Sequence, residues 1–347
     1  MSEDIKYILY QFSYRESLLD LLGHMWNHSS RDCVERRFSW RYEHNYCLQE
    51  NTMFIAVVDH QVVGFRGYTA QSYCFNGKRM IVLSPSDAIV HPSYRRKGVF
   101  DNLMKLSMQS LAKNRDKLSL SVFLNLSSNE KSTPAYLKLG WRKVATKDSA
   151  SRISITCLVR RIMCKSTDSC SLVKSGSSII TVSRVVNASL IREINHFIKY
   201  PIEHDNSDEY YKWRYDDSGE KNCFVVYTVC GNPMAFMIVK KSSKHLGLIM
   251  DYAAESPNDL QKMMLMSSKV LGYSVLRVRI TGGTNEERMA LWKCGFFTDS
   301  KIVSIAKRKK KPPVLLKCVD PDNRDYSVNG IDIMNPMNWR LLAGESH

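Results

Sequence analysis

The chain has 347 residues, enough for two ordinary domains, and 44% of them are hydrophobic, so each half can build a packed core. Charged residues make up 24%, close to the globular average, which argues against general disorder. The 50 basic against 34 acidic side chains leave a net charge of +16. That excess favours an anionic partner: nucleic acid, an acidic membrane surface, coenzyme A or a nucleotide-linked substrate.

The acidic start Met1-Ser2-Glu3-Asp4 has no apolar run behind it, so no signal peptide is expected. No uncharged apolar run approaches the roughly 18 residues of a membrane span. The 10 cysteines include no C-x-x-C pair. That predicts reduced thiols, no metal site and a cytoplasmic location. Residues 31–44 set Val34, Phe38, Arg41 and Tyr42 at helical spacing. Two β-type runs follow, Met53–Asp59 and Val62–Thr69, then a turn at Phe75–Lys78 and a strand over Met80–Val90. Val99–Ala112 has the apolar spacing of an amphipathic helix, and Leu118–Leu124 reads as a buried strand. Pro134–Leu139 is a short helix stopped by Gly140, and Arg152–Val159 reads as a closing strand. The Ser-rich stretch 165–178 is the expected domain boundary.

The second half repeats the plan of the first. Phe38-Ser39-Trp40-Arg41-Tyr42 recurs as Tyr211-Lys212-Trp213-Arg214-Tyr215, and the β pair 53–69 as 223–240. Asp87 on its strand is matched by Asp251, and Ala135…Leu139-Gly140-Trp141 by Ala290…Cys294-Gly295-Phe296. These features, in the same order, argue for a duplication.

The chemistry concentrates in Ser84–Phe100, SPSDAIVHPSYRRKGVF. A strand ends at Val90, and Arg95-Arg96-Lys97-Gly98-Val99-Phe100 opens a helix. A helix N-terminus offers unpaired N–H donors and the positive end of its dipole. Basic side chains flank those donors and Gly98 lets a ligand approach the backbone, which makes a cradle suited to a pyrophosphate. After the next strand comes Asn129-Glu130-Lys131-Ser132-Thr133-Pro134-Ala135-Tyr136-Leu137-Lys138-Leu139-Gly140-Trp141. Here the chain resembles the GNAT superfamily of acyl-CoA-dependent N-acyltransferases. The family signature [QR]-x-x-G-x-[GA] reads here as Arg95-x-x-Gly98-x-Phe100, with Phe100 in place of the small residue. The second signature, N-x-x-[AS]-x-x-x-Y-x-K-x-G-[FW], is matched at Asn129, Ser132, Tyr136, Lys138, Gly140 and Trp141. The match covers about residues 50–145 closely.

The resemblance implies two tandem α/β domains, each a twisted mixed β-sheet flanked by helices: residues 1–164 with the acyl-CoA site, a linker at 165–178, and a degenerate copy at 179–347 that shapes the acceptor pocket. It also implies that acyl-coenzyme A is the co-substrate, as acetyl-CoA or 3-hydroxyacyl-CoA. The exposed backbone of Ala88, Ile89 and Val90 would bind pantetheine, and Arg95, Arg96, Lys97, Gly98, Val99 and Phe100, with Asn129 and Ser132, would complete the cofactor site. Tyr136 matches the tyrosine that protonates the leaving thiolate, or else is a packed aromatic with a capped hydroxyl. Asp87 is the first candidate for the base or for orienting the amine, His91 the second, and relayed water a third. The second half lacks an R-x-x-G turn after Asp251 and has Leu291 at the Tyr136 place. The tandem layout, the W-R-Y repeats and Asn338-Trp339-Arg340-Leu341 also resemble bacterial nucleotide-sugar N-acyltransferases of surface-polysaccharide synthesis. The partner expected is therefore a dTDP- or UDP-linked amino sugar rather than nucleic acid, with the protein a monomer or homodimer. The rivals are a polyamine, amino acid or peptide acceptor, a tRNA-dependent transferase, and a basic module that binds without catalysis. Lys307–Lys311 (KRKKK) reads as a solvated basic loop or an attractor of acidic substrates.

Overall fold

A computed structural model describes residues 4–26, 30–48, 50–154, 173–298, 311–320 and 322–345. The chain forms two compact units that interleave along the sequence. Unit 1 takes Met1–Val144 and Pro313–Met334; unit 2 takes Ala145–Pro312 and Asn335–Ser346. The compact units thus do not follow the expected boundary at 165–178, of which 165–172 lie outside the described residues.

Unit 1 opens with β1 (Lys6–Leu9), α1 (Arg15–Trp26) and α2 (Arg31–Phe38). The chain then winds a wide π-turn, Ser39–Glu43, closed by the His44 N–H on the Ser39 carbonyl at 2.8 Å. An antiparallel meander follows: β2 (Met53–Val58), β3 (Gln61–Phe75) and β4 (Lys78–Val90). Next come α3 (Val99–Lys113), β5 (Leu120–Asn125), α4 (Thr133–Lys138) and β6 (Arg142–Thr146). The sheet runs β1-β2-β3-β4-β5, then the strand Pro313–Cys318, then β6. All six residues of β2 are buried, as expected of a strand covered on both faces. One face packs Leu18, Leu22, Phe38, Tyr42, Phe65 and Ile89 under α1 and α2. The other packs Tyr68, Leu83, Val99, Leu103, Phe123 and Tyr136 under α3 and α4.

Unit 2 begins with β7 (Ser149–Ile153), β8 (Val173–Ser175) and β9 (Ser178–Ser183). It continues with α5 (Ala188–Glu193), the short β10 (Ile202–His204), α6 (Asp208–Tyr211) and a second π-turn, Lys212–Asp216. The Asp217 N–H closes that turn on the Lys212 carbonyl at 2.9 Å. Then come β11 (Asn222–Val229), β12 (Asn232–Lys241), β13 (Leu246–Ala254), α7 (Pro257–Leu271), β14 (Val275–Arg279), α8 (Asn285–Lys293) and β15 (Phe297–Thr298). The sheet order is β15-β7-β14-β13-β12-β11-β9-β8. Of the closing strand expected over Arg152–Val159, residues 155–159 lie outside the described residues; Ser149–Ile153, β7, pairs with β14 and β15 in the second sheet. In return Pro313–Cys318, here β16, pairs with β5.

Two irregularities give the units a common register. In unit 1 Asp87 pairs with Gly67 and Pro85 with Tyr68, so Ser86 is the extra residue of a bulge. In unit 2 Asp251 pairs with Ile238 and Ile249 with Val239, so Met250 is extra. Beyond the bulges the parallel strands part. The β4–β5 ladder ends at Leu83 and Phe123 although β4 continues to Val90. The β13–β14 ladder ends at Ile249 and Val278 although β13 continues to Ala254.

Candidate active site

The β4–β5 ladder ends at Leu83, and beyond it the Pro85 carbonyl accepts from Ser127 Oγ at 3.1 Å and the Val90 carbonyl from Arg95 Nε at 3.3 Å; Ala88, Ile89 and Val90 lie on this segment without a β5 ladder partner. The chain next turns through Arg95–Gly98, where Arg96 and Gly98 both adopt left-handed conformations, φ 65° and 77°. A side chain at Gly98 would meet only the Asn102 Nδ2, at 3.9 Å, so the space ahead of α3 is open. No side chain caps the helix start, and Arg95, Arg96 and Lys97 are exposed beside it. Uncapped N–H donors, open space and three cations meet the requirements of a pyrophosphate. Val99 is buried in the helix–sheet core. Phe100 turns inward as well, edge-on to Tyr136 with ring centroids 6.5 Å apart, which leaves the backbone donors unobstructed.

Tyr136 sits on α4, which stops at Gly140 with φ 81°. Its ring is buried, edge-on to Trp141 at 4.9 Å. Its hydroxyl oxygen accepts a hydrogen bond from Arg66 Nη2 at 2.8 Å. Burial raises the Tyr136 phenol above its ordinary range, and the neighbouring guanidinium pulls in the opposite direction. Arg66 is 1% exposed, lies over the rings of Tyr68 and Tyr136, and makes a long 3.5 Å contact to the Asp87 carbonyl. Among the described residues it has no carboxylate partner, and its Nε has no hydrogen-bond acceptor. Trp141 Nε1 is likewise a buried donor without a partner, and a hydrogen bond from the Asn125 side chain also lowers the Tyr136 phenol.

Asp87 faces the other side of the sheet, paired with Gly67, whose missing Cβ would lie 2.5 Å from Tyr42. Its Oδ2 accepts from Arg41 Nη1 at 2.8 Å and from the Tyr42 hydroxyl at 2.6 Å, and its Oδ1 accepts from Trp26 Nε1 at 3.1 Å. The side chain is 12% exposed. Burial alone would raise the carboxyl, but the Arg41 cation and the hydrogen bonds from Tyr42, Trp26 and Arg41 outweigh it and hold Asp87 below the usual carboxylate range. A carboxylate stabilised in this way is a weak base, although Oδ1 keeps a lone pair with which to orient an ammonium group.

The structure does not gather the remaining candidates at that centre. His91 caps the turn after β4, its Nδ1 accepting from the Ser93 N–H at 3.4 Å. Asn129 and Ser132 build the entry to α4. Asn129 Oδ1 accepts from the Lys131 and Ser132 N–H groups at 3.0 Å each, and Ser132 Oγ accepts from the Asn129 N–H at 3.2 Å. Their matching of the family signature thus serves to set the helix that carries Tyr136. Sequence reading missed Arg66, Asn125 and Trp26. An arginine in an apolar strand whose matching position in the second half is methionine was the available signal. Of the KRKKK run, residues 307–310 lie outside the described residues, and Lys311 bonds to Asp148.

The second unit shows what the same scaffold does without this chemistry. Strand register places Met237 where unit 1 has Arg66 and Val278 where it has Asn125. Counting back from Gly295 and Gly140 places Leu291 at Tyr136. All three replacements are buried in one apolar core. Where β13 and β14 part, the chain's own segment Arg340–Gly344 enters. Arg340 bonds to the Tyr252 carbonyl on β13, and Arg279 at the end of β14 bonds to the Leu342 carbonyl at 3.0 Å. Leu342 is buried in the same core. In unit 2 the parting of the strands is thus occupied by the chain's own segment.

Residues 7–144 match the family model of the acetyltransferase (GNAT) domain. No curated protein matches the sequence. Solved structures share the fold over nearly the whole chain. A conserved protein of Enterococcus faecalis described as a probable N-acyltransferase superposes with a TM-score of 0.61 at 11% identity, over 92% of this chain and 73% of that one. A GCN5-related N-acetyltransferase of Anabaena variabilis gives 0.60 at 12% identity, over 91% and 73%. A tandem GNAT protein of the clavulanic acid pathway gives 0.51 at 11% identity, over 92% and 100%. The family match over residues 7–144 and the likeness of the whole chain to solved structures agree with the geometry: residues 7–144 are similar to the GNAT acetyltransferase domain, and the chain has the fold seen in a tandem GNAT protein.

Proposed function

We propose that the chain is an acyl-coenzyme A-dependent N-acyltransferase whose acceptor is the amine of a dTDP- or UDP-linked amino-deoxy sugar. The observation that carries the reaction class is the Tyr136 phenol, held by Arg66 beside the parting of β4 and β5 and behind an open, basic helix N-terminus. The N–H donors of Val99 and Phe100, with Arg95, Arg96 and Lys97, bind the pyrophosphate of acetyl-CoA or a 3-hydroxyacyl-CoA. The backbone of Ala88–Val90 binds pantetheine. Among the structural neighbours is a yeast N-myristoyltransferase with bound myristoyl-CoA, which supports a thioester donor for this fold.

The neutral amine attacks the thioester carbonyl directly. Its excess proton leaves to solvent, because the three donors on Asp87 make that carboxylate too weak a base, and Asp87 serves instead to orient the ammonium group before it loses that proton. Tyr136 donates its hydroxyl proton to the departing thiolate. The net charge of +16 and the tandem layout support a diphosphonucleotide-linked acceptor over a cationic polyamine.

The test is thiol release from acetyl-CoA and longer acyl-CoAs against nucleotide-linked amino sugars, polyamines and amino acids. Release that depends on one amino sugar is expected, with Tyr136→Phe slower by on the order of 100-fold. Release that depends on a polyamine instead would displace the sugar assignment, and no release with any amine would end the enzymatic reading.

A further inference from the structure

A buried guanidinium without a carboxylate is costly, and folds normally remove such a charge or pair it. Arg66 is such a group. It is 1% exposed, has no carboxylate partner among the described residues, and spends its one good side-chain hydrogen bond on Tyr136. The second unit serves as an internal control for whether the scaffold needs it. There Met237 and Leu291 occupy the places of Arg66 and Tyr136, both buried in a continuous apolar core. The fold therefore closes well at this point with two apolar side chains. Arginine and tyrosine are present together in one unit and absent together from the other, which ties the cation to the phenol rather than to the sheet.

The hydrogen-bond chemistry gives the pairing a direction. A guanidinium donates and never accepts. The Tyr136 oxygen must therefore be the acceptor, and its own O–H proton is not consumed by Arg66. The Asn125 side chain adds a hydrogen bond that favours the charged Tyr136 oxygen, and Trp141 Nε1, on the ring packed edge-on to Tyr136, is a further buried donor. Tyr136 is thus set among donors, an environment that favours a negative charge on its oxygen.

We propose that Arg66 is a positioning residue for acyl transfer: it orients the Tyr136 hydroxyl so that its proton is free for the leaving thiolate, and it stabilises the tyrosinate formed when that proton is given up. This rests on the reading of Tyr136 as the acid. The amine nitrogen forms the C–N bond, the C–S electron pair departs on sulfur, and the sulfur takes the Tyr136 proton. The proton lost by the amine returns to the tyrosinate through solvent, so the products are amide and free thiol. Arg66 touches neither substrate and acts through Tyr136 alone.

The experiment compares wild type, Arg66→Met, Arg66→Lys, Tyr136→Phe and the double variant Arg66→Met/Tyr136→Phe. It measures thermal unfolding, acetyl-CoA binding by thermal shift, and kcat and KM for thiol release from acetyl-CoA with the best amine of the panel. Arg66→Met, which copies the second unit, is expected to unfold no lower than wild type and to bind acetyl-CoA equally well. Its kcat should fall on the order of tenfold or more with KM for acetyl-CoA unchanged. In the Tyr136→Phe background the same change should cost nothing further, and Arg66→Lys should restore part of the rate. The alkaline limb of kcat should move to higher pH in Arg66→Met, since loss of the cation raises the phenol. Losses that add in the double variant, or a fall in unfolding temperature that accounts for the lost rate, would overturn the role of Arg66 while leaving Tyr136 as the acid. Full activity of Tyr136→Phe would overturn the premise and the proposal with it.

Discussion

At one place in each sheet, unit 1 holds Arg66, Asn125 and Tyr136 while unit 2 holds Met237, Val278 and Leu291. Around that place the two units are alike: a π-turn carrying W-R-Y, a bulge before an aspartate, parallel strands that part, and a helix stopped by a left-handed glycine. The likeness extends to what the aspartates do. Asp87 is held by Arg41, Tyr42 and Trp26, and Asp251 by the Tyr211 hydroxyl at 2.9 Å with His204 and Arg340 close by. The partners come from different parts of each unit, yet each carboxylate is buried among donors beside its bulge. Each aspartate is thus a shared feature of the scaffold, and the units differ in the polar trio and in the segment Arg340–Gly344 that enters where β13 and β14 part.

The sharpest way to break the comparison is to place the charge of one unit in the other. Met237→Arg sets a cation in the core of unit 2, where Leu291 stands at the place of Tyr136. It should cost more than about 4 kcal/mol and abolish the folded unit, as read by loss of cooperative unfolding. A stable, cooperative Met237→Arg protein would mean that this position tolerates charge by itself, and Arg66 would lose its special standing. Removing the shared feature should have the next largest effect. Asp87→Asn leaves the buried Arg41 without its counter-charge and should destabilise by about 3 kcal/mol in urea unfolding, with Asp251→Asn at least as damaging. Because the Asp87 carboxyl lies below its unfolded value, its contribution is present above about pH 4 and lost as the pH falls through the folded value. Wild type should therefore lose stability on acidification more steeply than Asp87→Asn. The smallest effect is expected at the Arg95–Gly98 turn, proposed above to take the pyrophosphate. Gly98→Ala forces a Cβ into φ 77°, costs about 1 kcal/mol, and should weaken acetyl-CoA binding several-fold while leaving kcat near wild type.

Much of this architecture can be read along the chain. The W-R-Y segments repeat a local conformation, and a π-turn closed within five residues leaves its mark in consecutive side chains. The helix that carries Tyr136 is announced by Asn129, Ser132 and Gly140, each acting on its neighbours. Features made by distant residues were hidden. Arg66 and Tyr136 lie 70 positions apart, and an arginine in a strand reads as an outward side chain until its partner is known. The exchange of β7 and β16 was invisible for the same reason: short apolar strands do not specify which sheet edge they join. Asp87 was placed on the right strand as a base or a group orienting the amine, but the three donors around it, two from the π-turn and one from α1, come from distant segments that its own strand does not announce.

That exchange of strands also sets an order of assembly. The sheet of unit 1 is finished only when Pro313–Cys318 takes its place beside β5, nearly two hundred residues after β5 is made. During synthesis the nascent first unit must wait with an unfinished sheet edge while most of the second is translated, so the long-range contact comes late. Cutting the gene at the serine-rich stretch would give two fragments that each lack a strand held by the other. Neither should fold cooperatively alone, and the two should recover structure when expressed together.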